Sequence, residues 1–284
     1  MRNFYCFLLT IFLSFSGFAQ DAPEDTVRAK LDTVSQQAER YYNAGIESYR
    51  QKNFTEALKQ FDLAIAEKPQ FEKAYYNRGN VYFDMKKYKE AIADFSQAIG
   101  INSMSDKAFF GRALAKNAIT LKQDALADYT QCLILNSANE LAFYNRGVIR
   151  FELEDYKGAA DDFTKAIKIK PDFAYAYNDR GSAKRKLEDY EGAINDYEKA
   201  SQLNPKLALT YNNSGSAKKR SNDLEGAILD YSMAIKLKPD YSIAWNNRGE
   251  AKFLKGDYKG AINDFTKAIE LNQNYSFAFN NRAA

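Results

Sequence analysis

The sequence contains no histidine among its 284 residues. This absence excludes histidine-based triads, histidine general bases and the commonest side-chain metal ligand. Phosphate-binding glycine loops, cysteine metal clusters and paired acid motifs are also missing from the sequence. We therefore predict a protein that is not an enzyme, with no catalytic residue, no metal site and no cofactor.

Cysteine is scarce, with 2 residues in the chain. Cys6 lies in the apolar N-terminal segment, so removal of that segment would leave Cys132 without an intrachain disulfide partner. Cys132 occupies a position that holds alanine in the related segments described below. This placement favours a buried, unreactive thiol over a nucleophile.

Neither sign of charge is in clear excess, because 40 lysine and arginine residues face 37 acidic residues. A balance this even does not indicate binding to nucleic acid or to lipid headgroups. We therefore expect no nucleic-acid partner.

The N-terminal residues 1–19 combine Arg2, an apolar stretch and the small residues Gly17 and Ala19. This pattern predicts a cleaved secretory signal peptide, and hence a periplasmic or secreted protein without a membrane span after cleavage. The alternative is an uncleaved membrane anchor. It is less favoured because polar residues interrupt the apolar part, which is shorter than the roughly 20 residues that a span needs.

Small and aromatic residues recur every 34 residues in most of the chain. An alanine is followed four positions later by an aromatic residue and seven positions later by a small residue, which places all three on one helix face. The alanines are Ala57, Ala91, Ala125, Ala159, Ala193, Ala227 and Ala261, and the aromatic residues are Phe61, Phe95, Tyr129, Phe163, Tyr197, Tyr231 and Phe265. We predict one helix per segment that a neighbouring helix approaches closely.

A second helix pattern precedes this one in each segment, with an aromatic residue followed four positions later by a glycine or alanine. The glycines are Gly45, Gly79, Gly147, Gly181, Gly215 and Gly249, and we interpret them as packing residues that admit the partner helix. Candidate N-caps of the following helix are Asn53, Asp155, Asp189, Asp223 and Asp257, and prolines that end it are Pro69, Pro171, Pro205 and Pro239. Each segment therefore predicts a helical hairpin.

These residues resemble the tetratricopeptide repeat. The resemblance covers residues 38–275 as seven repeats, with residues 276–284 as a partial eighth and residues 20–37 as a linker or a leading helix. It implies an all-α fold, a right-handed superhelical solenoid of antiparallel helix pairs. It also implies that the first helices of the pairs line a concave groove for a protein or an extended peptide.

The residue two positions after each first-helix aromatic faces away from its own hairpin, at about 200° around the helix. This position holds Asn43, Asn77, Asn145, Asn213 and Asn247, with Asn281 in the partial repeat and Gly111 and Asp179 as exceptions. Resemblance to tetratricopeptide domains that hold peptides with an asparagine ladder assigns these amides to the main chain of a ligand. The alternative is that the amides bridge adjacent first helices.

Other groove positions change character along the chain. The early repeats place Tyr42, Tyr76, Phe110 and Tyr144 there, whereas the later repeats have the basic residues Arg185, Lys219 and Arg220 nearby. This change predicts a ligand with aromatic or aliphatic side chains at one end and acidic side chains at the other. Alternatively, the apolar set packs between neighbouring first helices and the basic residues form an ordinary solvated face.

Arginine and aspartate recur on the flanks of the two helices. The arginines are Arg78, Arg112, Arg146, Arg180, Arg248 and Arg282, and the aspartates are Asp94, Asp128, Asp162, Asp196, Asp230 and Asp264. We predict ion pairs at the seam between the helices. If the pairs are exposed, each contributes about 0 to 1 kcal/mol.

The sequence therefore favours a non-enzymatic scaffold that binds a protein or peptide in the cell envelope. Cochaperone domains that grip a terminal carboxylate are a poor match, because this chain has Tyr42, Ile46 and Leu141 at their cationic positions. The alternative class is a self-assembling envelope component. It would form homo-oligomers through the C-terminal end, where Phe279 has no second helix to cover it.

Overall fold

The computed structural model describes residues 24–283, with side chains from residue 33 onward. The predicted signal peptide, residues 1–19, lies outside the described residues. Fifteen α-helices and no strand occur in the described range, and they divide into two compact units whose boundary lies between Ala74 and Tyr75. Among the helices described, none combines the length and apolar character needed to cross a membrane.

The N-terminal unit consists of one helix pair and the beginning of a third helix. Helix α1 spans Glu24–Arg50, α2 spans Phe54–Glu67, and α3 begins at Glu72. Residues 24–37, where the sequence left a linker and a leading helix as alternatives, are helical and continuous with the first helix of repeat one. The turn between α1 and α2 ends at Asn53, whose side chain accepts a hydrogen bond from the Glu56 backbone amide and caps α2.

The second unit begins within α3 and continues through six further helix pairs or parts of pairs. Its helices are α3 (Glu72–Asp84), α4 (Tyr88–Ile101), α5 (Asp106–Ala118), α6 (Lys122–Leu135), α7 (Glu140–Glu152), α8 (Tyr156–Ile169), α9 (Ala174–Lys186), α10 (Tyr190–Leu203), α11 (Ala208–Arg220), α12 (Leu224–Leu237), α13 (Ser242–Leu254), α14 (Tyr258–Leu271) and α15 (Ser276–Ala283). Odd-numbered helices are called first helices below, and even-numbered helices are called second helices. Helix α1 packs on α2, α3 packs on α4, and each helix from α4 to α14 packs on the next along the chain, which is the helix-pair solenoid that the sequence predicts.

The predicted packing faces are confirmed. The second-helix aromatic residues are buried, and six of the seven rings lie against the glycine of the first helix in their own hairpin. Tyr129 is the exception, because Ala113 stands in the place of that glycine. A Cβ atom at Gly249, for example, would lie 2.6 Å from Cε1 of Phe265. Any side chain at this glycine would therefore push the two helices apart.

The predicted helix ends are also confirmed. All five candidate N-caps accept a hydrogen bond from the backbone amide three residues later, as Asp155 does from Gly158 at 2.9 Å. Each turn inside a hairpin contains one residue with positive φ, which reverses the chain direction after the first helix. Only Gly256 among these turn residues is a glycine, so the other turns hold a side chain in a less favoured conformation.

Candidate functional site

The predicted arginine and aspartate seam is present inside the hairpins. Nε and Nη2 of Arg146 donate to the two carboxylate oxygens of Asp162, at 2.9 and 2.8 Å. The same two-point contact joins Arg78 to Asp94, Arg112 to Asp128, Arg180 to Asp196 and Arg248 to Asp264. The seam prediction is confirmed for these five pairs.

The energy expected for exposed pairs does not apply to this seam. Arg146 is 8% exposed and Asp162 is 0% exposed. Removing one partner of a buried pair leaves an uncompensated charge, which costs about 3 to 5 kcal/mol. Breaking a seam pair should therefore destabilise its hairpin far more than breaking a surface ion pair would.

Two further contacts in the seam were missed in the sequence, although both recur at 34 residues. A second cation, four residues after the arginine, pairs with the same aspartate; these cations are Lys116, Arg150, Lys184 and Lys252. A hydroxyl from the preceding second helix accepts a bond from the arginine; these residues are Ser96, Thr130, Thr164 and Ser232. Arg112, Arg146, Arg180 and Arg248 thus each join two consecutive hairpins.

The hairpin of α11 and α12 departs from this pattern because Ser214 replaces the arginine. Its hydroxyl donates to Asp230 at 2.6 Å, and Lys218 pairs with the same carboxylate at 2.8 Å. Glu198 occupies the place of the hydroxyl residue in the preceding helix. The arginine and its hydroxyl partner are thus both replaced at this junction, whereas the aspartate is kept. In the partial repeat, Arg282 is exposed and lies over the ring of Phe279.

The early aromatic residues of the predicted groove are half-buried and pack on the second helix of their own hairpin. Ring centroids of Tyr76 and Phe95 are 5.9 Å apart, and Tyr42 and Tyr144 make equivalent contacts with Phe61 and Phe163 at 6.0 and 5.8 Å. Phe110 contacts Tyr129 in the same way at 5.8 Å. The main role of these four rings is therefore hairpin packing, with one edge left at the surface.

The asparagine column of the later repeats is bonded to the preceding first helix. Nδ2 of Asn213 donates to Oδ1 of Asn178 at 3.3 Å, and Nδ2 of Asn247 donates to Asn212 at 3.0 Å. Asn281 donates to Asn246 at 3.0 Å. These contacts match the bridging alternative, and at least one hydrogen of each amide is used inside the protein.

The asparagines of the earlier repeats differ from these in exposure and, at Asn145, in hydrogen bonding. Asn43 is exposed, and Asn77 and Asn145 are partly exposed. Nδ2 of Asn145 donates to the Leu141 carbonyl of its own helix at 2.8 Å. Gly111 leaves room for a ring, since a Cβ atom there would lie 2.7 Å from Cζ of Phe95 in the preceding hairpin. The column is therefore not one uniform ladder.

Asp179 stands in the same column and marks a boundary between the two patterns. Its carboxylate accepts hydrogen bonds from the Tyr144 hydroxyl at 2.8 Å and from the Asn178 amide at 2.9 Å. Burial raises the pKa of Asp179, and these two hydrogen bonds offset only part of the effect.

The three predicted basic residues differ in their contacts. Lys219 pairs with Glu250 of the next first helix, so its charge is used within the protein. Burial alone would raise the pKa of Glu250, but Lys219 and two neighbouring amides lower it overall. Arg220 is exposed at the end of α11. Arg185 lines a cleft described below.

An exposed apolar column on the first helices was missed in the sequence, apart from Leu141. Its members are Leu141, Tyr175, Leu209, Ile243 and Phe277, which are 44, 52, 50, 44 and 68% exposed. Each lies four residues, or about one helical turn, before a position of the asparagine column and on the same face, and that position is Asp179 in the case of Tyr175. We call the surface formed by these two columns the first-helix face. The 34-residue recurrence of the apolar positions was the signal that could have revealed it.

A cleft of about 400 Å³ opens on the first-helix face between α7, α9 and α11. Its lining includes Val148 and Phe151 from α7 and Leu209 from α11. Ser182 and Arg185 contribute polar groups from α9. The cleft therefore lies where the repeat position that holds Tyr144 in α7 changes to asparagine, as Asn178 in α9 and Asn212 in α11.

Cys132 is buried, as predicted. Burial and the nearby charge of Asp106 raise the pKa of its thiol to about 11, against a smaller opposing effect of the hydrogen bond from Asn139. The thiol is therefore protonated at neutral pH. Within the part of the chain that the structure describes, no cluster of three or more potential metal ligands occurs.

Comparison with known families agrees with the repeat geometry. The family model described as "Tetratricopeptide repeat" matches residues 72–104, 141–173 and 242–275, and the model described as "TPR repeat" matches residues 181–222 and 215–256. Together these matches cover more than half of the sequence. The chain therefore belongs to the tetratricopeptide repeat family, whose members are generally non-catalytic scaffolds for protein interaction. No match was found among curated proteins.

Solved structures share the fold at low sequence identity. YrrB, described as a TPR protein with an unusual peptide-binding site, is 23% identical, with 67% of this chain and 98% of that chain covered and a TM-score of 0.59. MamA is 22% identical, with 61% and 94% covered and a TM-score of 0.57. The C-terminal part of a TPR protein from Cytophaga hutchinsonii is 16% identical, with 84% and 98% covered and a TM-score of 0.69.

Proposed function

We propose that this chain is a non-enzymatic scaffold that binds an extended segment of a partner protein along the first-helix face. The observation that carries the proposal is the exposed apolar column that begins at Leu141 and ends at Phe277. Aligned apolar side chains of this size are typical of surfaces that contact another molecule. Similarity to YrrB, described as having a peptide-binding site, supports the same class of ligand.

The arrangement of the two columns suits an extended peptide. Apolar side chains of the peptide would pack on Tyr175, Leu209 and Ile243, and its main chain would lie beside the asparagine column. The carbonyl oxygen of Asn213 makes no hydrogen bond with the described residues, so it is available to a backbone N–H group. The partly exposed Asn145, in the same unit, would extend these contacts.

A selection from a random phage-displayed peptide library tests the proposal. We expect peptides to be selected by the intact chain. Combined substitution of Tyr175, Leu209 and Ile243 by alanine should then weaken the selected peptides by at least tenfold, because the apolar contact area is lost. Fluorescence anisotropy of a labelled selected peptide measures the change.

A matched control variant replaces Ile134 and Leu229 by alanine. These residues are 70 and 71% exposed but belong to the second helices α6 and α12, outside the first-helix face. The control should bind the peptide as the unchanged chain does, and both variants should keep the same helical circular dichroism. Equal binding by the two variants would place the peptide elsewhere and contradict the proposal.

We further propose that the chain is exported to the periplasm or the exterior. The support is the signal-like composition of residues 1–19. Mass spectrometry of the protein recovered from the envelope fraction should give a chain lacking these residues. Recovery of an unprocessed cytoplasmic chain would count against export.

A second candidate function is self-association through the last hairpin. Ile262 of α14 is 50% exposed, whereas the equivalent Ile194 and Ile228 are half-buried and pack against the following repeat. A further helix, including one from a second copy, would cover Ile262. Light scattering over a range of concentrations should then reveal a dimer that the Ile262→Asp variant abolishes, and a monomer at every concentration would exclude this function.

A further inference from the structure

Three charged residues line the cleft between α7, α9 and α11, and two of them are already partnered. The carboxylate of Asp179 accepts bonds from Tyr144 and from Asn178, as described above. The other acid, Glu152, pairs at 3.2 Å with Lys122 of α6. The acidic groups of the cleft are therefore supplied with donors from the protein itself.

Arg185 is the third charged group, and it lacks such a partner. No ion pair joins Arg185 to a carboxylate in the described part of the chain, and its Nε hydrogen is buried without an acceptor. The guanidinium lies near the Tyr197 hydroxyl. Burial raises the pKa of Tyr197, and the hydrogen bond with Ser182 and the nearby Arg185 offset only part of this effect. A phenol accepts far less strongly than a carboxylate, so the strongest donor of the cleft is left without a charged acceptor.

The seam of this chain shows what an arginine fork does with a carboxylate. Arg180, five residues earlier in the same helix, uses Nε and Nη2 to hold both oxygens of Asp196, at 2.9 and 2.6 Å. Arg185 has the same planar set of donors but no such acceptor. If a carboxylate entered the cleft, Nε and Nη2 of Arg185 could donate hydrogen bonds to its two oxygens in the same way.

The residues around Arg185 add an apolar requirement. Val148, Phe151 and Leu209 line the same cleft. Phe151 occupies the position of Arg185 one repeat earlier, so the cation follows an aromatic residue at the same place on the preceding first helix. A ligand that fits both groups carries an acidic side chain beside an aliphatic or aromatic one.

We propose that this cleft is the subsite for an acidic side chain of the bound peptide, with Arg185 as the cation that holds its carboxylate and Val148 and Phe151 as the wall for the adjacent apolar side chain. This inference rests on the proposed peptide-binding function. It assigns the acidic preference to Arg185 alone, because Lys219 is paired with Glu250 and Arg220 does not line the cleft.

Parallel selections from the random phage-displayed peptide library test the subsite. The unchanged chain should enrich peptides with Asp or Glu next to an apolar residue, and the Arg185→Gln variant should select peptides without this enrichment. Displayed peptides fused at their C-terminus present only side-chain carboxylates, which separates the proposal from capture of a chain terminus. Lys168→Gln, an exposed position on α8, removes the same charge away from the cleft and should keep the acidic enrichment.

Synthetic versions of one selected peptide give the quantitative result. Replacing its acidic residue by the matching amide should weaken binding to the unchanged chain by about tenfold and leave binding to Arg185→Gln unchanged. Arg185→Lys keeps the charge but loses the fork, so its affinity for the acidic peptide should fall between the two. Circular dichroism of the variants establishes that each is folded.

The possible failures are distinguishable. Selection of peptides without acidic residues by the unchanged chain would overturn the subsite and leave the peptide-binding function standing. Equal loss from the acid-to-amide change in the unchanged chain and in Arg185→Gln would do the same. Selection of no peptide by either chain would overturn both the subsite and the proposed function.

Discussion

The first helices of the second unit fall into two regions that use the same backbone with different chemistry. In the aromatic region, α5 and α7 place Phe110 and Tyr144 on the buried rings of their own hairpins. In the amide region, α9, α11 and α13 carry Asn178, Asn212 and Asn246 at the same position, and these residues accept hydrogen bonds from the following first helix. The comparison teaches that one repeat position stabilises either a hairpin or a junction between hairpins.

The difference also explains which side chains of the first helices stay exposed. Rings in the aromatic region are committed to packing, and amides in the amide region donate to the neighbouring first helix, although the carbonyl oxygen of Asn213 makes no hydrogen bond with the described residues. The side chains left exposed are those of the apolar column and of the boundary cleft, where neither pattern is complete. Arg185 stands at this boundary without a carboxylate partner.

The largest predicted effect comes from the seam, which the two regions share. Arg146→Ala in the aromatic region should lower the free energy of unfolding by about 3 kcal/mol, because Asp162 would stay buried with Arg150 as its one remaining cation. Arg248→Ala in the amide region should have a similar effect. Urea denaturation followed by circular dichroism measures both changes.

The control for the seam is Arg282→Ala in α15. Its guanidinium is exposed and lies over Phe279 rather than against a buried aspartate. Its removal should change the free energy of unfolding by less than about 0.5 kcal/mol. If Arg146→Ala were equally mild, the buried seam would not be a stabilising element of either region.

An intermediate effect is expected from Asn178, the junction residue of the amide region. Its Oδ1 accepts from the Thr210 hydroxyl at 3.2 Å and from the Asn213 amide at 3.3 Å. Asn178→Ala leaves these donors without an acceptor and should lower the free energy of unfolding by about 2 kcal/mol. Asn145→Ala is the matched control, since that amide bonds only within its own helix, and its effect should stay below about 0.5 kcal/mol. Equal effects would mean that bridging between first helices adds nothing to stability.

The smallest effects are expected from two buried tyrosines, one in each region, whose replacement by phenylalanine should change the free energy of unfolding in opposite directions. The Tyr129 hydroxyl is buried without a hydrogen-bond partner, and Leu114 holds the repeat position from which Ser182 contacts the Tyr197 hydroxyl. Tyr129→Phe should therefore raise the free energy of unfolding by about 1 kcal/mol, whereas Tyr197→Phe should lower it by about 1 kcal/mol. Urea denaturation of both variants gives the two changes directly, and changes of the same sign would refute this explanation.

Contacts within a hairpin were largely predictable from the sequence. Gly79 and Phe95 lie 16 residues apart, and so do Arg78 and Asp94, so helix periodicity alone places each pair on facing sides of one hairpin. Burial of the seam was not predicted, because the cover is supplied in part by the preceding hairpin. The second cation of each aspartate was available from the same periodicity and was overlooked.

Contacts between hairpins were less predictable. The angle around the helix indicated that Asn213 faces away from its hairpin, but not whether solvent, a ligand or Asn178 would lie opposite. Lys219 and Arg185 looked alike as basic groups near the groove. Only the neighbouring helix distinguishes them, since α13 supplies Glu250 to Lys219 and no described carboxylate pairs with Arg185.

The sequence by itself determined the helix pairs, their caps, their packing faces and the membership of the tetratricopeptide repeat family. These features depend on residues close together in the chain, and helix geometry relates such residues directly. Only the tertiary structure decided which groove residues are committed to the protein and which are open to a ligand. That outcome depends on how closely successive hairpins stack, because a donor or an apolar side chain stays available only where the next helix brings no partner to it.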